Sequence, residues 1–478
     1  MIDGPVGRPR FEVREGVQPM ADDRFRYRTR DPTTGKLEQE FPFASDSEVR
    51  NALIAARGAF VAWSGRPIGD RLGILERVAI LLEARSEEFA RLMASEMGKP
   101  LAQGHGEVEK CAWVCRYYAE NAEAFLRPRE ANSDGSQSLV RFEPIGPVLA
   151  IMPWNFPFWQ VFRFVAPALA LGNVALLKHA PSTPQCALAI EALLREAEAP
   201  DGVFQSLFLT HEQAASIVDD DAVRGMTLTG STGAGREVAS RAGRALKPMV
   251  MELGGSDPFL VFSDADLDRA VEQAVVSRCL NSGQSCIAAK RFLVEASVFD
   301  RFLGLFADSM RAQIVGDPRN ERSDLGPLAR ADLRDRLAAQ VDRALEDGAI
   351  AVCGGAVPDG PGYFFPPTVL TGIRPESWAA KEEFFGPVAL VFSFRSEDEA
   401  VRLANATPYG LGSSLWTADR SRVARLVPRL EAGSVFVNGF VKSDPRLPFG
   451  GVKASGFGRE LARDGLLEFS NRKTVWIS

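Results

Sequence analysis

The stretch Pro147-Val148-Leu149-Ala150-Ile151-Met152-Pro153-Trp154-Asn155-Phe156-Pro157, with the apolar run that follows it to Gly172 and then Val174-Ala175-Leu176-Leu177-Lys178, decides the fold. Residues 148–152 read as a strand, the next run as a helix ending near Gly172, and residues 174–178 as a second strand, which together make one strand-helix-strand unit. Residues 151–177 are the most apolar of the chain, yet they hold Pro153, Asn155, Pro157, Gln160, Arg163, Pro167 and Asn173. A lipid-spanning helix tolerates few of these, so the run reads as buried strand, turn and helix, and no membrane association is expected.

Outward from this unit the alternation continues. A helix is expected at 184–198, a strand at 203–209, a short helix, a strand at 226–229, a helix after Gly233 and a strand at 249–252. Repeated parallel units argue for a doubly wound sheet, whose ligands bind beyond the carboxyl ends of the strands; Trp154, Lys178, Gly230 and Glu252 all fall there. A second alternating run begins at Asp264 and continues to about 437, with strands near 292–294, 388–394 and 434–438, and reads as a second α/β domain. Between 127 and 143 the Asp134-Gly135 pair separates two stretches able to form a hairpin, the first weakly apolar. The tail ends in Thr474-Val475-Trp476-Ile477, a short apolar strand candidate; this terminal strand and the hairpin together are candidates for binding a partner.

Length and charge agree with an enzyme-sized soluble chain. At 478 residues and 46% hydrophobic it exceeds one ordinary domain, so two or three are expected. A net charge of -6 with no dense basic run gives no electrostatic footprint for nucleic acid. Six scattered cysteines suit a reducing, cytoplasmic compartment rather than a disulfide scaffold. The N-terminus mixes Gly4, Pro5, Gly7 and Pro9 with charged side chains and has no apolar core, so it is not read as a signal peptide. Cys111 and Cys115 lie one helical turn apart, but no second Cys or His pair completes a metal site, and no metal is expected.

The chemistry centres on Asn281-Ser282-Gly283-Gln284-Ser285-Cys286. Residues 266–276 read as a helix with Asp266 as N-cap and Gly283 beyond its end, which sets Cys286 on the following loop. A free thiol has a pKa near ~8.5, so a nucleophilic cysteine needs backbone N–H donors or positive charge nearby to stabilise a thiolate. The competing reading of any cysteine is a small buried hydrophobe, and Cys111, Cys115, Cys186, Cys279 and Cys353 are read that way. Gly230-Ser231-Thr232-Gly233-Ala234-Gly235 follows a strand and opens a helix; its N–H groups could hold a pyrophosphate, or it is a plain glycine turn. Met251-Glu252-Leu253-Gly254-Gly255 puts a carboxylate at a solvent-accessible strand end, as a general base or as an ordinary loop carboxylate.

In combination, these segments resemble the aldehyde dehydrogenase superfamily. The matching runs are Pro153-Trp154-Asn155-Phe156-Pro157, Leu177-Lys178, Thr229-Gly230-Ser231, Glu252-Leu253-Gly254-Gly255, Gly283-Gln284-Ser285-Cys286, Glu382-Glu383-Phe384-Phe385-Gly386-Pro387 and Pro448-Phe449-Gly450-Gly451-Val452-Lys453, in the family's order from about residue 27 onward. Within the superfamily, Lys178-His179-Ala180-Pro181, the Glu252 to Pro258 segment and the Gly283 to Phe292 segment are most similar to bacterial NAD(P)-dependent succinate-semialdehyde dehydrogenases. The resemblance implies an aldehyde-dehydrogenase-like α/β fold with two doubly wound parallel-sheet domains and a small β oligomerisation element. It assigns residues 21–126 and 147–253 to cofactor binding, 254–445 to catalysis, and 127–146 with 461–478 to assembly as a homodimer or homotetramer, leaving 1–20 as an N-terminal extension.

The resemblance also implies roles. Cys286 attacks the aldehyde carbon, the Asn155 amide and the Cys286 N–H hold the oxyanion, hydride passes to nicotinamide, and Glu252 activates the water that hydrolyses the thioester. Cofactor contacts fall to Trp154 and Asn155 at the nicotinamide end, Lys178 and the Pro181 position at the adenosine ribose, Gly230 and Ser231 at the pyrophosphate, the Leu253 backbone, and Glu383 with Phe385 at the nicotinamide ribose. Many NAD-preferring members carry a Glu at the Pro181 position. With none to repel a 2′-phosphate, and with Lys178, His179 and Ser182 nearby, NADP is favoured over NAD.

For the substrate, Asn155, Trp159 and Arg163 have helical spacing, and Arg163 aligns with an arginine that binds a substrate carboxylate; an internal acidic partner for Arg163 is the alternative. A second such arginine in some relatives is Leu280 here, for which Ser443 or Arg446 could compensate, and Ala288 replaces a cysteine found in some relatives. The expected reaction is oxidation of succinate semialdehyde or a similar short carboxylated aldehyde. A broader aliphatic or aromatic specificity, with Phe156, Phe158, Trp159 and Phe162 lining the approach, is the rival. An idle NAD(P)-binding protein and a cysteine hydrolase are the remaining alternatives, although His105, His179 and His211 fall in no motif that sets them beside Cys286.

Overall fold

The computed structural model describes residues 26–478, and the expected extension at 1–20 lies outside the described residues. Two parallel sheets dominate. The first has six strands in the order Gly456–Phe457, Met249–Glu252, Gly225–Thr229, Pro147–Ile151, Val174–Lys178, Phe204–Ser206, all parallel except the antiparallel Gly456–Phe457. The chain therefore winds one way from Pro147–Ile151 and then returns to lay Gly225–Thr229 on its other side. A crevice opens at the carboxyl ends of those two strands, where the winding reverses. Trp154 and Asn155 follow one of them and Gly230 follows the other.

The second sheet has seven strands in the order Ile350–Cys353, Thr368–Thr371, Val388–Phe394, Ala289–Glu295, Asp257–Val261, Gly412–Trp416, Ser434–Val437, parallel except for the antiparallel first pair. One of its interior strands, Asp257–Val261, precedes the Asp264 start expected from the sequence. Pro258 disguises it, because proline cannot donate to a ladder; the register shifts between Asp257 and Pro258, which absorbs the missing N–H. Phe259 stacks on Trp416 at 5.6 Å between ring centres and lies 5.3 Å from Phe292, so aromatic pairs from three neighbouring strands fill that core.

Only four residues, Leu253 to Ser256, join Glu252 of the first sheet to Asp257 of the second. At the two glycines of this link there is no room for a Cβ: one on Gly254 would lie 2.6 Å from Glu383 Oε2 and one on Gly255 2.6 Å from the Cys286 carbonyl oxygen.

The helix Trp159–Leu171 is buried along its whole length, as its apolar sequence requires, and ends at Gly172 in the left-handed conformation (φ 110°). Its amino end has no cap of its own; the Phe158 and Trp159 N–H groups both donate to Glu107 Oε1 at 2.9 Å. The strand expected at 203–209 is only Phe204–Ser206, at the sheet edge. A third sheet joins the tail strand Ser470–Ile477 to Gln137–Pro144 over eight residue pairs and then to Arg129–Glu130, so the weakly apolar half of the hairpin makes a strand of two residues. Trp476 and Ile477 are exposed on it. Among the described residues no helix is long and apolar enough to cross a membrane.

Candidate active site

Asp266 caps the helix Leu267–Cys279 by accepting from Arg269 N, and a short turn, Leu280–Gly283, carries the chain to Cys286. Asn281, Ser282 and Gly283 are all left-handed (φ 56°, 54° and 75°), a conformation costly for the first two. Tertiary bonds hold it. Asn281 Nδ2 donates to Asn155 O (2.7 Å) and Gln284 O (3.1 Å), Ser282 Oγ to Gly326 O (2.9 Å), and buried Arg278 to Gly283 O (2.6 Å). A side chain on Gly283 would strike the Gly386–Pro387 backbone. Lys290, wholly buried, donates to Ser285 O (2.8 Å) and Cys286 O (2.6 Å) and pairs with Glu383 at 3.2 Å. A Lys-Arg pair near the start of the strand Ala289–Glu295, both side chains buried, was the sequence signal for this anchor.

Of the six cysteines, Cys286 alone is half-exposed and the other five are buried. Its surroundings do not favour a resting thiolate, contrary to the expectation for this loop. Burial of the sulfur pushes the thiol up to about 12, with Glu252 and Glu383 adding to the shift and Lys290 and Arg163 opposing it. The resting group is a neutral thiol, so attack needs a base.

Glu252 ends the strand Met249–Glu252 and is buried, not solvent-accessible as the sequence suggested. Neither carboxyl oxygen has a hydrogen-bond partner among the described residues. Burial raises it well above the ordinary carboxylate range, Arg163 pulls it back, and Glu460 raises it further. Asn155 Nδ2 donates to Gln284 O at 3.0 Å and its Oδ1 accepts from Gln160 at 3.1 Å. An amide nitrogen carries two hydrogens, so one donor remains beside the cysteine loop. Asn155 O accepts from Lys99 Nζ at 3.0 Å, and Lys99 is ion-paired with Glu107, the carboxylate that caps the next helix. Neither Lys99 nor Glu107 stood out in the sequence, and Asn281 did so only as part of the cysteine run; their alignment on Asn155 is a tertiary fact.

Along the other side of the crevice, Ser231 caps the helix Thr232–Arg244, accepting from Ala234 N at 3.3 Å, and Gly230 N donates to Glu252 O at 3.0 Å. Space is open over Gly230 and Gly233, where the nearest atoms to an added Cβ are 3.6 and 4.0 Å away. Such a helix start can receive a phosphate. Lys178 ends its strand without an ion-pair partner among the described residues, and burial lowers it to about 8. Ser182 Oγ, buried close by in sequence, has no hydrogen-bond partner either. An ammonium and an unpaired hydroxyl next to Pro181, with no carboxylate there, fit a phosphorylated ribose. His179 does not contribute: it is buried, bonded to Pro157 O (2.9 Å) and Thr183 Oγ1 (2.9 Å), and held neutral by burial, which lowers it to about 4. Trp154 meets Phe385 edge-on at 5.9 Å. Leu253 N donates to Ser455 O (2.9 Å), and Glu383 accepts from Gly255 N (3.0 Å) while facing Lys290.

The substrate side needs four corrections. Arg163 is buried and ion-paired with Glu460, its guanidinium 4.8 Å from the Phe449 ring centre, so it takes the internal acidic partner instead of standing free as a carboxylate fork. Arg446 is gripped by Asp444 through two bonds of 2.9 and 2.7 Å and does not replace the arginine missing at Leu280. Phe158 and Phe162 are fully buried in the core, Phe158 against Phe89 at 5.0 Å, and do not line an approach. The helix begins at Trp159, so only Trp159 and Arg163 share its face; Asn155 lies in the preceding turn. Ser443 is buried and accepts from Lys110 Nζ at 2.7 Å, and the same ammonium lies 4.4 Å from the Trp159 ring centre. Lys110 was absent from the sequence reading. No cluster of metal-ligating side chains exists among the described residues.

Comparison with known proteins matches residues 20–475 to the pattern of the aldehyde dehydrogenase family. The chain is 49% identical over 450 residues, 94% of its length and 99% of the relative's, to a probable succinate-semialdehyde dehydrogenase (NADP(+)) of Synechocystis sp.. It is 48% identical, with coverage of 94% and 99%, to succinate-semialdehyde dehydrogenase (NADP(+)) 1 of Mycobacterium tuberculosis. Among solved structures, the succinic semialdehyde dehydrogenase of Streptococcus pyogenes in complex with NADP+ superposes with a TM-score of 0.93 at 35% identity, covering 94% of this chain and 99% of that one. The Burkholderia pseudomallei succinate-semialdehyde dehydrogenase gives 0.91 at 37% identity, with 94% of each chain covered.

Proposed function

Because the chain belongs to the aldehyde dehydrogenase family, we propose that it oxidises succinate semialdehyde, or a similar short carboxylated aldehyde, to the acid through Cys286, using NADP in preference to NAD. The observation that carries this reading is Cys286, the one cysteine whose residue is not fully buried, set near the buried carboxyl of Glu252, whose charge adds to the upward shift of the thiol. A thiol this weakly acidic reacts when the ionised Glu252 takes its proton as sulfur bonds to the aldehyde carbon. The carbonyl π electrons move onto oxygen, where the second Asn155 N–H and the Cys286 backbone N–H donate. A bound nicotinamide dinucleotide supplies the acceptor for the two electrons and hydrogen that leave that carbon. The Cys286 thioester is then cleaved by water, which Glu252 deprotonates after releasing its first proton to solvent.

Residues 21–126 with 147–253 are the cofactor-holding part, through Trp154, Lys178, Gly230, Ser231, Leu253, Glu383 and Phe385, with the Pro181 position open to a 2′-phosphate. Residues 254–445 are the catalytic part. The sheet of Arg129–Glu130, Gln137–Pro144 and Ser470–Ile477 assembles the chain as a homodimer or homotetramer, supported by the exposed Trp476 and Ile477. The reducing, cytoplasmic setting follows from six unpaired cysteines.

The test is a grid of succinate semialdehyde and butanal against NADP and NAD, read at 340 nm for the native enzyme and Cys286→Ser. The highest kcat/KM is expected for succinate semialdehyde with NADP, and none for Cys286→Ser. Equal turnover of both aldehydes would defeat the substrate assignment, and an active Cys286→Ser would defeat the mechanism.

A further inference from the structure

The corrected ion pairs leave a recognition problem: if the substrate carries a distal carboxylate, a cation must receive it, and both arginines on that side are occupied by Glu460 and Asp444. Lys99 is likewise paired with Glu107. We propose that Lys110 is the residue that binds the substrate's distal carboxylate, with the Ser443 hydroxyl as its second donor, an inference that rests on the carboxylated-aldehyde reading above.

Lys110 lies on the helix Leu101–Phe125, one turn after Glu107. Glu107 caps the helix that starts at Trp159, directly beyond the Asn155 turn, so Lys110 stands on the same wall as the amide assigned to the oxyanion. Its ammonium is half-buried, with a hydroxyl at 2.7 Å and an indole ring centre at 4.4 Å, and no carboxylate within ion-pair distance among the described residues. Two of its three N–H donors are unused. A partly desolvated ammonium held only by a hydroxyl and a π face is incompletely satisfied, and an arriving carboxylate completes it. Ser443 Oγ accepts from Lys110, which leaves its own O–H to donate to the same anion. Ser443 comes from the loop after the second sheet, so the two donors meet across the boundary between the sheets, where a pocket belongs. Trp159, below the ammonium, supplies an apolar wall for the short chain between aldehyde and acid.

The charged and titratable groups around Lys110 are Arg163, Glu107, Asp444 and Cys111; burial and Arg163 lower it, to about 8, and Glu107, Asp444 and Cys111 oppose this. The native enzyme's KM for succinate semialdehyde should therefore rise as pH passes through that region, while KM for butanal stays flat.

Lys110→Gln and Lys110→Met are compared with the native enzyme on both aldehydes with NADP, with thermal melting as the check on folding. Truncating one partner of a desolvated charge pair costs affinity on the order of 30-fold or more, so KM for succinate semialdehyde is expected to rise by about that factor while kcat and the butanal parameters stay within about threefold. Lys110→Arg, keeping the charge, should restore part of the preference. A parallel loss on both aldehydes, or a preference left intact in Lys110→Gln, overturns the proposal. If the neutral variants do not fold, the pH dependence of the native KM decides: equal dependence for both aldehydes overturns it. A native enzyme with no preference for the carboxylated aldehyde would instead overturn the substrate reading, and this inference with it.

Discussion

Removing the charge of Arg163 leaves two buried carboxyls, Glu252 and Glu460, without the cation that stabilises their ionised forms. Glu252 must be ionised to act as a base, and Arg163 is what lowers it, so Arg163→Gln moves its titration to higher pH. The expected result is a kcat limb displaced toward alkaline pH, with activity on succinate semialdehyde and butanal falling together at neutral pH and recovering as pH rises. A selective rise in KM for the carboxylated aldehyde, with an unmoved limb, would return Arg163 to the role of carboxylate clamp. Glu252→Gln removes the base altogether: turnover should fall by about 10²- to 10⁴-fold, the usual worth of general-base assistance, and the limb should vanish from the pH profile. Retention of that limb in Glu252→Gln would assign it to another group.

Among elements, the helix Trp159–Leu171 depends on a residue outside itself. Glu107 takes its first two free N–H groups and the Lys99 ammonium, which in turn holds the Asn155 carbonyl. Breaking a buried pair by removing one charge commonly costs ~3–5 kcal/mol, because the partner is left uncompensated. Glu107→Gln should lower stability by about that amount in urea titration and should also reduce kcat, since the Asn155 turn loses its tether. If stability drops while kcat holds, the chain from Glu107 to Asn155 is structural only. The turn Leu280–Gly283 is the other dependent element. Gly283→Ala meets both a left-handed φ and the Gly386–Pro387 backbone, and loss of activity through displacement of Cys286 is expected even where the protein still folds.

For the whole molecule, the two sheets meet through the four-residue link after Glu252, and the third sheet stands apart with its tail strand paired over eight positions to Gln137–Pro144. Truncation after Phe469 would strip that partner, leaving the edge of Gln137–Pro144 open and removing the exposed Trp476 and Ile477. Light scattering coupled to gel filtration should then show a smaller assembly than the full chain forms, with the NADP site intact by cofactor titration. An unchanged mass would clear this sheet of any part in assembly.

Periodicity, turn residues and short motifs made most of the architecture legible, because they depend on neighbours along the chain. The strands Val174–Lys178, Met249–Glu252 and Val388–Phe394 stand where their apolar runs put them, and Asp266 caps its helix as its residue type requires. The proposed catalytic trio of Cys286, Glu252 and Asn155 could be named from motif order. Strand Asp257–Val261 was hidden because Pro258 contradicts the local rule and a register shift, visible only between strands, reconciles it. Which cation meets which partner was equally hidden: Arg163 and Glu460 are almost 300 positions apart, and Lys110 and Ser443 are separated by 333. Ionisation follows the same logic. A thiol pushed up to about 12 and a carboxyl raised by burial come from solvent exclusion by packed elements, a property of the folded surroundings that no local run of residues encodes.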